Sequence, residues 1–372
     1  MVGRVNEGRR DRTRVVSWST GGVGSIAARV LTERPDFDLV GVWVHNPDKV
    51  GRDVGEIVDA PLTGLKASSD RKALLSLQPD CICYTASGEP RPRECVDDIC
   101  EMLAAGINVV TTSIPGLVHP PAFDPTHVQR LEQACLEGGA SLYASGIEPG
   151  FAGDELVLRL STMSNQIESV RTQEIFSYAD YPVAFTMFEV FGFGKAPEHR
   201  CIMEMPGIQV MTWGPPVRMV ADQLGAKLER IRETYEKCTT DRRIEVAAGV
   251  IEAGTVAAVR FETIGVVDGR DAIVIEHINR AASDIAPDWP TAVDAGTYRI
   301  VVDGDPSFKC ELTLGTDETF SDQGMVATTM RVVNAIPYVC EAPPGLVSSV
   351  DLPPLLPRHA FDRPVVRAGA NG

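Results

Sequence analysis

The feature that most constrains this chain is a short apolar run at 14–19, RVVSWS, that feeds the turn TGGVG at 20–24 and then an amphipathic segment. In that segment Val23, Ile26, Ala27, Val30 and Leu31 recur at helical spacing. Strand-like and helix-like stretches then alternate: strands at 37–44, 80–85, 108–112 and 140–145, helices at 71–77, 94–105 and 126–137. This rhythm predicts an α/β unit with a doubly wound parallel sheet. A strand that turns through glycines into a helix N-terminus aims free amides at one spot, and glycine there lets a bulky anion reach the backbone. Residues Ser19, Thr20, Gly21, Gly22, Val23 and Gly24 are therefore the expected cradle for a dinucleotide pyrophosphate, in a Rossmann domain. Gly21 and Gly24 fill the second and third glycine places of G-x-G-x-x-G, and Ser19 replaces the first.

The end of the second strand should read the adenosine ribose. It runs Val44-His45-Asn46-Pro47, with no acid before Asp48 and with Lys49 and Arg52 close behind. His45, Asn46 and Lys49 thus point to NADP, with NAD the alternative. Ala86, Ser87 and Gly88 follow the third strand and are expected along the nicotinamide ribose, with Thr111 and Thr112 at the end of the fourth. Glu89, in the same loop, is a weaker catalytic candidate.

After Gly146 the pattern changes. Helices are expected at 154–163, 217–235 and 323–336, and strands at 167–178, 244–251, 255–266, 271–280 and 296–314. This second half reads as α+β with a mostly antiparallel sheet. The expected organisation is a disordered tail at 1–13, a dinucleotide-binding domain at 14–150, a substrate and dimerisation domain at 151–322 and a closing segment at 323–372. The net charge of −16 disfavours nucleic acid and anionic lipid as partners, which leaves a small molecule. No apolar run reaches the ~18 residues of a membrane span. Arginines interrupt the first residues, so no signal-peptide core forms and a cytoplasmic location is expected. The nine cysteines are scattered, which predicts reduced thiols and no metal site.

Four stretches carry a family resemblance: VGRDVGE at 50–56, NVVTT at 108–112, GIEPGF at 146–151 and VNAIPYVCEAPPG at 333–345. They resemble the dihydrodipicolinate-reductase-like enzymes, and more closely their relatives the 2,4-diaminopentanoate dehydrogenases and native amine dehydrogenases. The resemblance implies a Rossmann domain, a substrate domain whose sheet forms a homodimer, and a terminal segment returning to the first domain. No His-His-x-x-Lys or Ser-Gly-Thr constellation occurs in 151–300, which speaks against lysine biosynthesis. Where the amine dehydrogenases resemble Thr-Thr-x-Glu-Glu-Leu, this chain reads TTSIPGL at 111–117, so both acids are absent.

Glu148 stands where such relatives usually carry Asn, on the loop leaving a strand, and is the candidate replacement acid. His119 is a candidate donor to a carbonyl or imine, and Tyr143, Tyr178 and Phe185 are candidate substrate-lining aromatics. His277 alternates with apolar residues and is expected to face outward. The expected function is an NAD(P)-dependent oxidoreductase acting on a small apolar amine, imine or ketone. The alternatives are a ketone or enone reductase with no ammonia step, and a non-catalytic dinucleotide-binding protein.

Overall fold

The computed structural model describes residues 12–88, 91–293, 296–315 and 320–361. Nearly all of the expected 1–13 tail, and Glu89, lie outside the described residues. Two compact units share the chain: one takes residues up to Ile114, Gln129–Ala144 and Thr329 onward, the other Pro115–Val128 and Ser145–Thr328. The divisions between these units fall at 144/145 and 328/329, and 115–128 goes with the second unit.

The first unit is built on β1 (Thr13–Trp18), β2 (Phe37–Trp43), β3 (Cys81–Tyr84), β4 (Asn108–Thr111) and β5 (Ser141–Ala144). These strands and a final strand, Gly345–Val347, form one parallel sheet in the order final–β5–β4–β3–β1–β2. The strand order reverses between β1 and β3, the kind of switch point where doubly wound folds open a crevice at their strand ends. β3 and β5 are buried throughout, as expected for strands covered on both faces. The helix Gly22–Glu33 sends Ala27 and Leu31 into a core shared with Val15, Cys81, Cys83 and Tyr143. Val332, Val333, Ile336 and Val339 of the helix Phe320–Val339 complete that core, so the end of the chain is part of this unit.

The second unit holds β6 (Gln166–Ser177), β7 (Arg230–Thr239), a hairpin of β8 (Ile244–Val246) and β9 (Gly249–Ile251), β10 (Val256–Val267), β11 (Arg270–Arg280), β12 (Gly296–Asp305) and β13 (Phe308–Leu312). The main sheet runs β13–β12–β6–β11–β10–β7, antiparallel except where β6 meets β11. The helix expected at 217–235 is instead Ile208–Leu224, followed by β7. Gly225 stops it in the left-handed region at φ +69°, its N–H bonding back to Ala221 and Asp222. The apolar spacing at Leu228 and Ile231 had run straight across that stop.

The two faces of this sheet differ in chemistry, because successive side chains alternate. On one face Glu276, fully buried, accepts from Arg171 (2.6 Å), Arg260 (2.6 Å) and Gln173 (2.8 Å). Burial alone would push its carboxyl up, but Gln173, Arg171 and Arg260 together hold it below the usual range. A carboxyl lowered by folding contributes stability above its unfolded pKa, lost as pH falls through the folded one. Glu276→Ala removes the acceptor that Arg171 and Arg260 share while Glu262 stays beside both, and urea unfolding at pH 7 is expected to show a loss of about 1.5–3 kcal/mol.

Candidate functional site

In the first unit the site is built at the ends of β1 to β4. Ser19 ends β1 with its N–H bonded to Trp43 O (3.0 Å) and takes φ +99°, a conformation usually left to glycine. It thereby makes the tight turn that the first glycine of the fingerprint would make. A Cβ on Gly24 would lie 2.4 Å from Ser19 O, so Gly24 is required by close packing of helix on strand. Gly21 is different: a Cβ there would meet nothing nearer than Ser19 Oγ at 4.0 Å. Nothing inside the fold demands glycine at 21, whereas an approaching pyrophosphate does. The helix Gly22–Glu33 has no side-chain cap and no acid in its first turn, so its leading amides are left for an anion. These residues fit a dinucleotide.

Thr20 is tied down from two sides. Lys49 Nζ donates to Thr20 O (3.0 Å) and Oγ1 (3.1 Å), and Ser25 Oγ donates to Thr20 O (3.1 Å). The lysine charge therefore sits beside the glycine turn, on oxygens that do not neutralise it. His45 and Asn46 are exposed, and Asn46 Oδ1 accepts the Asp48 amide (2.9 Å). After β3, Ala86 and Gly88 are buried and Ser87 is exposed. The Ser113 hydroxyl donates to Ala86 O, and its N–H donates to Thr111 Oγ1 (3.0 Å). A Cβ on Gly88 would fall 1.8 Å from Ser113 O, so the loops after β3 and β4 touch backbone to backbone. Thr111 is fully buried and Thr112 half-buried. Ser19 to Gly24, Lys49, Ala86 to Gly88, Thr111 and Thr112 thus gather at the same strand ends.

The second unit holds a buried polar row that strand register creates. Across the sheet, Tyr298 of β12 faces Glu174 of β6, Glu174 faces His277 of β11, and His277 faces Phe261 of β10. His277 is 3% exposed, stacked on Phe261 (centroids 4.6 Å, planes 3° apart) and against Trp213 of the helix Ile208–Leu224 (4.5 Å). This corrects its expected outward orientation: both faces of β11 are covered along its second half. Burial holds the imidazole down at about 3, so it is neutral at ordinary pH. Its Nε2 lies 3.8 Å from Glu174 Oε1. Burial pushes the Glu174 carboxyl up to about 8, against a partial pull down from the Tyr298 hydroxyl.

Glu148 belongs to the same unit, on the loop after β5, where it precedes Pro149 through a cis peptide bond. Its two carboxyl oxygens are shut from solvent without a hydrogen-bond partner. Burial, then the charges of Asp154 and Glu174, drive this carboxyl well above the usual range, and the Gly153 amide offsets little of that. Asn279, on the face of β11 shared by His277, is fully buried with both amide atoms unpartnered.

The remaining candidates are scattered. His119 is buried, its Nε2 2.8 Å from Asp222 Oδ2, which pins the 115–128 segment to the helix Ile208–Leu224. Tyr143 is fully buried in the core of the first unit, its hydroxyl 3.3 Å from Arg331. It stands on a strand that is buried throughout. Tyr178 packs edge-on to Phe191 (5.6 Å) and stacks on Phe193 (6.1 Å), whereas Phe185 is 58% exposed. Glu174, Asn279 and Tyr298 escaped sequence reasoning, and His277 was given the wrong face, because only register aligns them. No group of three or more metal-ligating side chains occurs among the described residues.

A family model described as the 2,4-diaminopentanoate dehydrogenase C-terminal domain matches residues 151–362. The chain belongs to this family. It is 39% identical to an amine dehydrogenase of Streptomyces virginiae, over 91% of this chain and 95% of the other. It is 24% identical to a 2,4-diaminopentanoate dehydrogenase of Acetoanaerobium sticklandii, over 92% of this chain and 94% of the other. The fold is that of an amine dehydrogenase from Mycobacterium smegmatis, with a TM-score of 0.73 at 20% identity, covering 93% of this chain and 97% of that one. This family member is an NAD(P)-dependent oxidoreductase of amine dehydrogenase type, which sets aside the non-catalytic alternative.

Proposed function

We propose that the enzyme interconverts a small apolar primary amine and its ketone, with NADP(H) as redox partner and Glu148 as the proton-handling acid. The observation that carries the amine reading is the Glu148 carboxyl, shut from water with no partner for either oxygen. An unpaired buried carboxyl is costly in an empty protein and becomes favourable when an ammonium arrives. The nicotinamide supplies hydride acceptance and donation when bound. The chain's own part is to hold it through the 19–24 turn, to seat the ribose on 86–88, and to take a proton at a Glu148 oxygen. His119 is assigned to positioning the 115–128 segment, because Asp222 already engages its ring.

The ammonia-independent ketone reductase remains the second reading, favoured by Ile114 and Pro115 standing where the family resemblance places acids. NADPH oxidation with a small ketone, with and without ammonium, separates the two. Dependence on ammonium supports the amine reading, and equal rates overturn it.

NADP preference rests on Lys49, whose ammonium meets only uncharged oxygens of Thr20 in the bonds described, and on the absence of an acid at 44–47. Lys49→Glu is expected to weaken NADPH about tenfold or more while changing NADH less, because a charge-assisted contact to the 2′-phosphate is lost. Fluorescence titration of both nucleotides checks it. For the organisation, the proposal keeps 14–150 as the nucleotide domain, 151–322 as the substrate and dimerisation domain, and 323–372 as the closing segment. A cytoplasmic homodimer is the proposed working form, and light scattering on the purified protein tests the mass. No described helix is long and apolar enough to cross a membrane.

A further inference from the structure

The second unit contains more buried polar chemistry than one acid requires. Glu174 stands between Tyr298 and His277 in a single cross-strand row, with His277 Nε2 3.8 Å away. The opposite ring nitrogen, Nδ1, has no hydrogen-bond partner although His277 is 3% exposed. One row further along the same face, Asn279 is fully buried with its amide oxygen and nitrogen both unpartnered. Glu148 has neither oxygen partnered, and its charge and that of Glu174 act on each other. Buried polar atoms are nearly always paired, so several orphans gathered on one sheet face mark a place that a polar ligand completes.

We infer that Glu148 and Glu174 together form the receptor for the substrate's amine nitrogen, with Tyr298 and His277 as positioning residues that orient the Glu174 carboxyl. The inference rests on the amine reading above and adds the second acid to it. The groups around the pair are Asp154 beside Glu148, Tyr298 and His277 beside Glu174, and Tyr178 beside Tyr298. Neutral His277 brings no positive charge, so no cation among these groups competes with an incoming ammonium. Both carboxyls resist ionisation when alone, so the empty receptor is largely protonated near pH 7. An alkylammonium favours the carboxylate form, so its binding expels a proton to solvent. In the amine-oxidising direction one N–H bond then breaks, its electron pair stays on nitrogen, and the proton forms an O–H bond on the carboxylate. The neutral amine left behind carries the lone pair that loss of hydride from the neighbouring carbon requires, and a bound nicotinamide would supply the hydride acceptor.

The test begins with the wild-type enzyme. Isobutylammonium chloride is titrated calorimetrically in two buffers of different ionisation enthalpy, at pH 7 and pH 9.5. Net proton release at pH 7 that is smaller at pH 9.5 is expected; proton-silent binding at both overturns the receptor. Reductive amination of a small ketone by E148Q and E174Q should then show KM for ammonium raised about tenfold or more, with NADPH affinity unchanged. Tyr298→Phe removes a hydroxyl bond that favours the Glu174 carboxylate, so the pH profile of KM should move to higher pH. Wild-type ammonium KM in both glutamine variants overturns this inference alone. Ammonium-independent turnover by the wild type overturns the amine reading and this inference with it.

Discussion

Gly21→Val weakens nucleotide binding about 100-fold or more, a cost of about 2.7 kcal/mol, while leaving the melting temperature unchanged. The reason is an asymmetry within one turn. A Cβ at 21 is 4.0 Å from its nearest neighbour inside the protein, so the valine is accommodated and the loss falls on the ligand. Gly24→Val gives the reverse order of effects. Its Cβ would lie 2.4 Å from Ser19 O and 2.8 Å from Ser19 C, backbone atoms with no freedom to swing aside. A stability loss of about 3 kcal/mol is expected there, with nucleotide affinity falling only as a consequence. Urea unfolding and NADPH fluorescence, run on both variants, separate the two cases. Equal melting losses would mean that Gly21 serves the fold and not the cofactor.

Glu148→Gln carries the second large effect. Proton transfer by a positioned acid contributes a factor of about 100 or more, so kcat for reductive amination should fall by that much at constant NADPH affinity. The same substitution has a signature in stability. A carboxyl whose folded pKa is raised binds its proton more tightly in the native state. Its contribution is therefore full below the unfolded pKa and is lost as pH climbs toward the folded one. Wild-type stability should decline as pH rises above the ordinary carboxyl range from this source, and the glutamine variant should lack that decline. A variant that keeps both the wild-type rate and the wild-type pH dependence would remove Glu148 from the chemistry.

The nucleotide unit was the most legible part of the sequence, because its signals are local. A strand, a glycine turn and a helix occupy consecutive residues, and the βα alternation repeats them. What the sequence hid is that Ser19 itself adopts φ +99°, since a serine carries no mark of the backbone it will accept. In the second unit periodicity gave most strands and failed where two periods overlapped. Leu224, Leu228 and Ile231 keep helical spacing, yet Gly225 ends the helix and β7 begins at Arg230. His277 shows the deeper limit. Alternation says that residues 275, 277 and 279 share a face, but not which face is covered. The row Tyr298–Glu174–His277–Phe261 exists only once four strands, one of them distant in sequence from the other three, have settled their registers.

The way the chain closes has a consequence for synthesis on the ribosome. The first unit's sheet ends on Gly345–Val347, paired with β5, and its core needs Val332, Val333, Ile336 and Val339. The second unit is finished by Thr328. A nascent chain therefore emerges with its nucleotide half made first and completed last. For most of translation β1 to β5 wait without the helix that covers them, while the later-made unit can already fold. Released chains truncated after residue 328 should consequently protect the second unit from protease and leave the glycine turn open to cutting, so nucleotide binding reports on chains that carry the closing segment.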